Sequence, residues 1–89
     1  MDNIRLVVNA DDFGLDSSIN RAIIKGHREG IITSTSLLAS GPAFDEAVAL
    51  AKENPTLGIG IHTCLVGGLE PVSAPKDVST LLVDGRFPM

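Results

Sequence analysis

Three short apolar segments alternate with two amphipathic stretches, and this order leaves few folds open to the chain. Residues 4–9, 31–39 and 57–62 are rich in apolar and β-branched side chains, which is typical of strands. The stretches between them repeat apolar side chains at the spacing of one helical face. Strands that alternate with helices pair in parallel through right-handed crossovers. The sequence therefore predicts an α/β fold with the order βαβαβ.

The ends of both predicted helices carry specific signals. Asp16 or Ser17 can accept a hydrogen bond from the free backbone N–H groups that begin the first helix, and Gly30 can end that helix. Pro42 suits the first turn of the second helix, where a missing backbone N–H costs nothing. Asn54 precedes a proline, and that pair stops the second helix.

After the third predicted strand the regular periodicity ends. Residues 67–77 are rich in Gly and Pro and predict an extended loop, and residues 81–87 predict a short turn or hairpin. Parallel strands need cover on both faces, and three strands with two helices cannot supply it. We therefore expect residues 1–89 to be a single domain that forms the N-terminal portion of a larger α/β domain. The alternative is completion by a partner chain, such as a second copy in a homo-oligomer.

The composition excludes several classes of protein. Seven Lys and Arg against eleven Asp and Glu give a formal charge of −4, and the only aromatic residues are three Phe, so we expect no nucleic-acid partner. No apolar stretch reaches the ~20 residues of a membrane span. The acidic N-terminus lacks the features of a secretory signal, so we expect a cytoplasmic protein without a membrane partner. The single Cys excludes an internal disulfide and a multi-Cys zinc site.

Two adjacent carboxylates, Asp11 and Asp12, follow the first predicted strand. In parallel α/β folds, sites gather beyond the C-terminal ends of the strands. Adjacent carboxylates repel each other unless a cation or a proton is present. One carboxylate can bind a divalent metal while the other acts as a general base, or both can hold Mg²⁺. The plain alternative is a polar loop that caps the next helix.

A second candidate, His62, ends the third predicted strand. Histidine is the most common side-chain metal ligand. The first and third strands of such a sheet can lie side by side, and Asp12 and His62 would then open into one cleft. A catalytic metal usually has three protein ligands and a water, so a third ligand is missing from the chain or comes from elsewhere.

Three further features favour structural roles. Cys64 lies two residues after His62 and could be a ligand, but a small buried hydrophobe is the preferred interpretation. His27, late in the first helix, is expected to be an exposed residue. The hydroxyl residues 33–36 could line a sugar pocket, but a strand with one polar face is the preferred interpretation.

Several segments in order resemble the YdjC-like carbohydrate deacetylases. The resemblance covers essentially the whole chain and rests on residues 9–14 (NADDFG) with Asn20, 30–37 (GIITSTSL), 41–44 (GPAF), 60–62 (GIH) and 81–87 (LLVDGRF). The family has a distorted (β/α) barrel of several hundred residues. By resemblance, this chain is the start of such a barrel and about its first third.

The resemblance implies a metal-dependent hydrolase that removes N-acetyl groups from amino sugars or chitooligosaccharides. Asp11 would be the general base, and Asp12 and His62 would be ligands of a divalent metal, Mg²⁺ or Zn²⁺. The family's third ligand, another His, lies downstream and has no counterpart here, so we expect the 89 residues alone to be inactive. Residues 63–66 (TCLV) depart from the Leu-Asn-Leu-Thr that often follows in the family.

Two other functions stay open at this point. A response-regulator receiver also places paired acids after its first strand to hold Mg²⁺, but it needs a phosphate-accepting Asp where this chain has His62. A non-catalytic remnant or assembly subunit would explain the missing third ligand directly.

Overall fold

The computed structural model describes residues 3–89. The elements follow the order β1 (Asn9–Phe13), α1 (Ser17–Glu29), β2 (Ser34–Leu37), α2 (Phe44–Glu53) and β3 (Gly58–Ile61). The three strands form one open sheet in the order β1-β2-β3, and both strand pairs are parallel. The predicted α/β fold with its βαβαβ order is confirmed.

The first strand begins later in the chain than the apolar pattern predicts. The prediction covers residues 4–9, whereas β1 contains both Asp11 and Asp12. The apolar side chains of residues 4–7 are exposed, and the ladder to β2 is formed by the residues that follow. Pairing with a neighbouring strand decides where a strand lies, and β propensity alone does not. The expectation of a loop at Asp11 and Asp12 is therefore wrong.

The second and third strands lie where the sequence predicts them but are shorter. The predicted 31–39 becomes Ser34–Leu37, and the predicted 57–62 becomes Gly58–Ile61. Both are limited to the residues that have a partner across the sheet. One further hydrogen bond, from the His62 backbone N–H to the Leu37 carbonyl at 2.9 Å, fixes the residue that follows β3.

Both helices cover the same face of the sheet. The core on this face is formed by the buried side chains of Phe13, Ile23, Ile24, Ala47 and Leu57. Burying a large apolar side chain stabilises a fold by about 1.5–3 kcal/mol. This core therefore holds the two helices against the three strands, and it fixes the orientation of the sheet's other face.

The helix ends largely follow the sequence signals. The Asp16 side chain caps α1 by accepting from the Ile19 backbone N–H at 2.8 Å. This bond, together with one from the Ser18 hydroxyl, holds the pKa of Asp16 below its usual value. Gly30 ends α1 as predicted. Pro42, however, lies before α2, whose first residue is Phe44, so the expectation that it lies in the first turn is wrong.

The segment after β3 contains little regular structure. Two single-turn 3₁₀ helices, Pro75–Asp77 and Ser79–Leu81, interrupt it. The expected turn around Asp84 is confirmed, since Val83 and Arg86 form an antiparallel bridge. In the part of the chain that the structure describes, no helix is long and apolar enough to cross a membrane.

Candidate metal centre at one end of the sheet

A β-bulge in β1 presents the two adjacent carboxylates. Ala10 pairs with Thr35 and Phe13 pairs with Leu37, so two residues of β1 oppose a single residue of β2. Those two residues are Asp11 and Asp12, and Asp12 has a left-handed backbone with a φ of 71°. In a regular strand, side chains alternate between faces, and a bulge breaks that alternation once.

The bulge has a direct consequence for the two faces of the sheet. Without it, Asp12 would share the helix-covered face with Ala10, and Phe13 would point away from the core. With it, Phe13 is fully buried under the helices while Asp12 stays accessible, with its side chain 47% exposed. The Thr35 hydroxyl donates to the Ala10 carbonyl at 2.6 Å and satisfies the backbone beside the irregularity.

The face away from the helices is called the open face below. Its members alternate along the three strands and comprise Asn9, Asp11, Ser34, Ser36, Gly58 and Gly60. His62 follows Gly60 by two residues and therefore continues this face beyond the end of β3. These seven residues carry a carboxylate, two hydroxyls, an amide and an imidazole, and none of them has a large apolar side chain.

Asp12 and His62 meet at the end of the open face. The Asp12 Oδ1 atom lies 3.4 Å from the His62 Nδ1 atom. That Nδ1 atom is buried and has no hydrogen-bond partner among residues 3–89. The structure therefore brings Asp12 and His62 together, as the sequence predicts. The expected reason is wrong, because β2 lies between β1 and β3, and the bulge brings Asp12 towards His62.

The geometry of this pair fits two ligands of one cation. A charge-assisted N–H···O bond is usually about 2.7–2.9 Å long, which is shorter than the separation seen here. Two donor atoms that each lie about 2.1 Å from a tetrahedral ion are themselves about 3.4 Å apart. An unpartnered imidazole nitrogen beside a carboxylate oxygen at that spacing suits a divalent metal. Within residues 3–89, no group of three His, Cys, Asp or Glu side chains converges on one point.

Asp11 lies beside this pair on the open face and has a different surrounding. Its Oδ1 atom accepts from the Asn9 Nδ2 atom at 3.0 Å, and the residue is exposed. The Asp11 carboxylate is therefore held through one oxygen and lies next in the chain to the candidate ligand Asp12. A carboxylate in this position can accept a proton from a reactant that is bound beside Asp12.

The loop that follows β1 is held by Asn20, whose role sequence reasoning missed. This residue is fully buried in α1. Its Oδ1 atom accepts from the Gly14 backbone N–H at 2.7 Å, and its Nδ2 atom donates to the Ala43 carbonyl at 3.1 Å and to Glu46 Oε1 at 3.2 Å. An amide between Ile19 and Ile23 on an otherwise apolar helix face was the available signal, since buried polar groups need partners.

The other candidates have structural roles. Cys64 is half-buried against the small core of Leu38, Leu69 and Phe87, as the hydrophobe interpretation predicts. His27 is partly buried, not exposed as expected, because its ring nitrogens contact the Ile32 carbonyl and the Thr56 hydroxyl, both at 2.8 Å.

The hydroxyl residues of the second strand also act within the fold. The Thr33 and Thr35 hydroxyls bond to the backbone of the first strand segment at Val8 and Ala10. The hydroxyls of Ser34 and Ser36 bond to Asn9. Ser34 and Ser36 give this strand its polar face, and Thr35, which pairs with Ala10, is buried on the helix-covered face with its hydroxyl bonded to the backbone.

The chain is an α/β unit that brings a carboxylate and an imidazole together at the carboxyl end of its strands, where the sites of parallel α/β folds gather. The sequence model of the YdjC-like protein family matches residues 5–89. The chain therefore belongs to the YdjC-like family, and the resemblance seen in its motifs is confirmed.

Curated relatives carry deacetylase names. A protein of Brevibacillus brevis named carbohydrate deacetylase is 49% identical over 85 residues, which are 94% of this chain and 33% of the relative. A protein of Salmonella paratyphi B named chitooligosaccharide deacetylase is 50% identical over 68 residues, which are 76% of this chain and 27% of the relative. The chain spans about a third of the length of the curated relatives it matches.

A solved structure confirms the arrangement of the fold. A crystal structure from Enterococcus faecalis V583, described as a cellobiose-phosphate cleavage protein, superimposes with a TM-score of 0.87 and 36% identity. The match covers 92% of this chain and 33% of that chain. The three strands and two helices therefore match one portion of a larger α/β fold.

Proposed function

We propose that the chain supplies the first part of the active site of a metal-dependent hydrolase that removes N-acetyl groups from amino sugars or chitooligosaccharides. The names of the relatives support a carbohydrate deacetylase. The single observation that carries the proposal is the distance of 3.4 Å between the Asp12 Oδ1 atom and the buried, unpartnered Nδ1 atom of His62. Asp11 is the neighbour of Asp12 in the chain.

Asp12 and His62 would hold the divalent cation through Oδ1 and Nδ1. An imidazole in the donor set suits zinc and similar transition metals, whereas carboxylates also suit Mg²⁺. When bound, a divalent cation polarises a carbonyl oxygen and makes water acidic enough to attack near neutral pH. The remaining ligand would come from outside the described residues.

Asp11 would act as the general base of the reaction. Asn9 holds its Oδ1 atom, and its Oδ2 atom receives no hydrogen bond from residues 3–89. This second oxygen can take a proton from the attacking water, whose oxygen forms the new bond to the acetamide carbonyl carbon. The C–N bond then breaks, acetate leaves, and a general acid outside this assignment protonates the amine. The cytoplasmic location and the possibility of a homo-oligomer stay predictions.

The proposal is tested in a chimaera in which residues 5–89 replace the aligned segment of the Brevibacillus brevis carbohydrate deacetylase. Acetate release from an N-acetylated chitooligosaccharide is measured for the chimaera and for Asp11→Asn. Loss of a general base lowers kcat by about 10²- to 10⁴-fold, and metal affinity should be unchanged because Asp12 and His62 remain. Asp45→Asn, on the exposed start of α2, is the matched control and should retain full turnover.

Two results would contradict the proposal. Full acetate release by Asp11→Asn would remove the assignment of the base. A folded chimaera that binds metal and releases no acetate would favour the alternative of a non-catalytic remnant or assembly subunit.

A further inference from the structure

A connected polar network on the open face is centred on Asn9. The Asn9 Nδ2 atom donates to Asp11 Oδ1 at 3.0 Å and to Ser36 Oγ at 3.1 Å. The Ser34 hydroxyl donates to Asn9 Oδ1 at 2.8 Å. The amide therefore uses its donors and its acceptor at once, and it connects Asp11 to two serines of β2.

The chemistry of the partners fixes which way the amide faces. An ionised carboxylate only accepts hydrogen bonds, so the NH₂ group of Asn9 must face Asp11. The amide oxygen then faces Ser34, whose hydroxyl can donate to it. A flipped amide would set its oxygen against the Asp11 carboxylate, where two acceptors repel each other. The orientation is thus determined by the network itself.

The register of the sheet makes the network rigid. Asn9 pairs directly with Ser34, and Asp11 and Ser36 each follow two residues later on the same face. Ser34 and Ser36 are half-buried members of a strand that is hydrogen-bonded on both edges. A side chain held by groups on rigid strands keeps its rotamer better than one held by a loop.

We propose that Asn9 is a positioning residue for the deacetylation, and this inference rests on the proposed function. With Ser34 and Ser36, Asn9 fixes the rotamer of Asp11 by holding Oδ1, which leaves Oδ2 to accept the proton. Within residues 3–89, the Asn9 side chain forms its hydrogen bonds with Asp11, Ser34 and Ser36, and with neither Asp12 nor His62. Its effect therefore passes through Asp11 alone and leaves the metal ligands unchanged.

The test is a double-mutant cycle in the chimaera defined above. Asn9→Ala should lower kcat by about 10- to 100-fold, the usual effect of removing the partner that orients a functional side chain. The KM and the metal Kd should change by no more than about twofold, since neither depends on the base. In an Asp11→Asn background, Asn9→Ala should cause no further loss, because the residue through which Asn9 acts has already been disabled.

Two matched variants separate positioning from general stabilisation. Ser34→Ala removes only the hydroxyl that fixes the amide, so its loss of kcat should be smaller than that of Asn9→Ala. Asn54→Ala removes a buried amide that bonds to the Leu50 carbonyl and to Arg28. It should lower the Tm without lowering kcat at a temperature where the protein stays folded.

A second readout does not need turnover. Three-bond NMR couplings across χ1 of Asp11 in the chimaera should report one rotamer, and in Asn9→Ala they should average towards several. Averaged couplings in the unmodified chimaera, or an equal loss of kcat from Asn9→Ala in both backgrounds, would overturn the inference. If the unmodified chimaera releases no acetate, the proposed function fails and the couplings alone decide whether Asn9 positions Asp11.

Discussion

The two faces of the three-stranded sheet differ in almost every physical property. One face is sealed by α1 and α2, and Phe13 at its centre has no exposed surface. The open face carries Asn9, Asp11 and two serines, and on β3 it carries only Gly58 and Gly60 before His62. The first face holds the fold together through apolar packing, and the second displays polar groups. Along the same strands, residues that pack under the helices alternate with residues of the open face that carry the candidate site.

The β-bulge in β1 maintains this difference between the two faces beside Asp12. The bulge in β1 places Asp11 and Asp12 together on the accessible side and returns Phe13 to the core. A slip of one residue would exchange the faces of every side chain that follows. The site therefore depends on the same local feature that completes the core.

The largest expected effect on the sealed face is that of Phe13→Ala. Truncating a fully buried Phe removes its apolar contacts and leaves a cavity, which lowers the free energy of unfolding by about 3–5 kcal/mol. Urea denaturation measures this change. Val72→Ala, at an 81% exposed position, is the control and should stay within about 0.5 kcal/mol of the unmodified chain. Equal effects of the two variants would break the comparison between a packed face and an exposed surface.

A smaller loss is expected where Asn20 joins the sealed core to the loop after the bulge. Asn20→Ala leaves the buried Gly14 N–H without its acceptor and should cost about 1–3 kcal/mol by urea denaturation. Asn20→Asp keeps an acceptor for the Gly14 N–H. It also places a carboxylate oxygen where the Asn20 NH₂ group donates to Glu46 Oε1 at 3.2 Å, so that two carboxylates face each other. It should be less stable at pH 7 than at pH 4. Retention of full stability by both variants would show that the loop is held by other contacts.

The opposite sign is expected on the open face. Asp12 has a left-handed backbone with a φ of 71° and lies next to another carboxylate. Asp12→Gly should raise the free energy of unfolding by up to about 1 kcal/mol, since glycine adopts this conformation without strain. The same substitution should abolish metal binding. A loss of stability would mean that Asp12 supports the fold. That result would contradict the assignment of stability to the helix-covered face and of chemistry to the open face.

The smallest effect is expected at Asp16, which caps α1. Hydrogen bonds from the Ile19 N–H and the Ser18 hydroxyl lower the pKa of Asp16 in the folded chain. Its contribution to stability is therefore present above the usual aspartate pKa of about 3.9 and is lost as the pH falls through the lowered value. Asp16→Ala should lower the Tm by a few degrees at pH 7 and leave metal affinity unchanged. An equal Tm difference at pH 2 would contradict the capping role.

The sequence predicted the parts of the fold that depend on local signals. The cap at Asp16 and the end at Gly30 bound α1 correctly, because both depend on hydrogen bonds within a few residues. The start of β1 was misplaced, because residues 4–8 have strand propensity and no ladder, and pairing is a long-range property. Asp11, Asp12 and His62 were predicted as candidates from their residue types and their positions near strand ends.

The geometry that joins those site residues could not be predicted from local patterns. The bulge follows from the joint demands of burying Phe13 and pairing with β2, which no window of sequence contains. Asn9 was assigned to a strand, and its role became visible only when Ser34 and Ser36 were placed beside it by the register. Asn20 likewise depends on Gly14 and on groups of α2 that are distant in the chain.

The central claim is that Asp12 and His62 form part of one metal site at the end of the open face. The most direct test is a calorimetric titration of Zn²⁺, Mn²⁺ and Mg²⁺ into the chimaera, with Asp12→Ala and His62→Ala as paired variants. We predict that at least one of the three ions binds tightly, that both substitutions abolish this binding, and that Asp11→Asn preserves it. Undiminished affinity in a folded Asp12→Ala or His62→Ala variant, or no binding of any ion by the folded chimaera, would contradict the account.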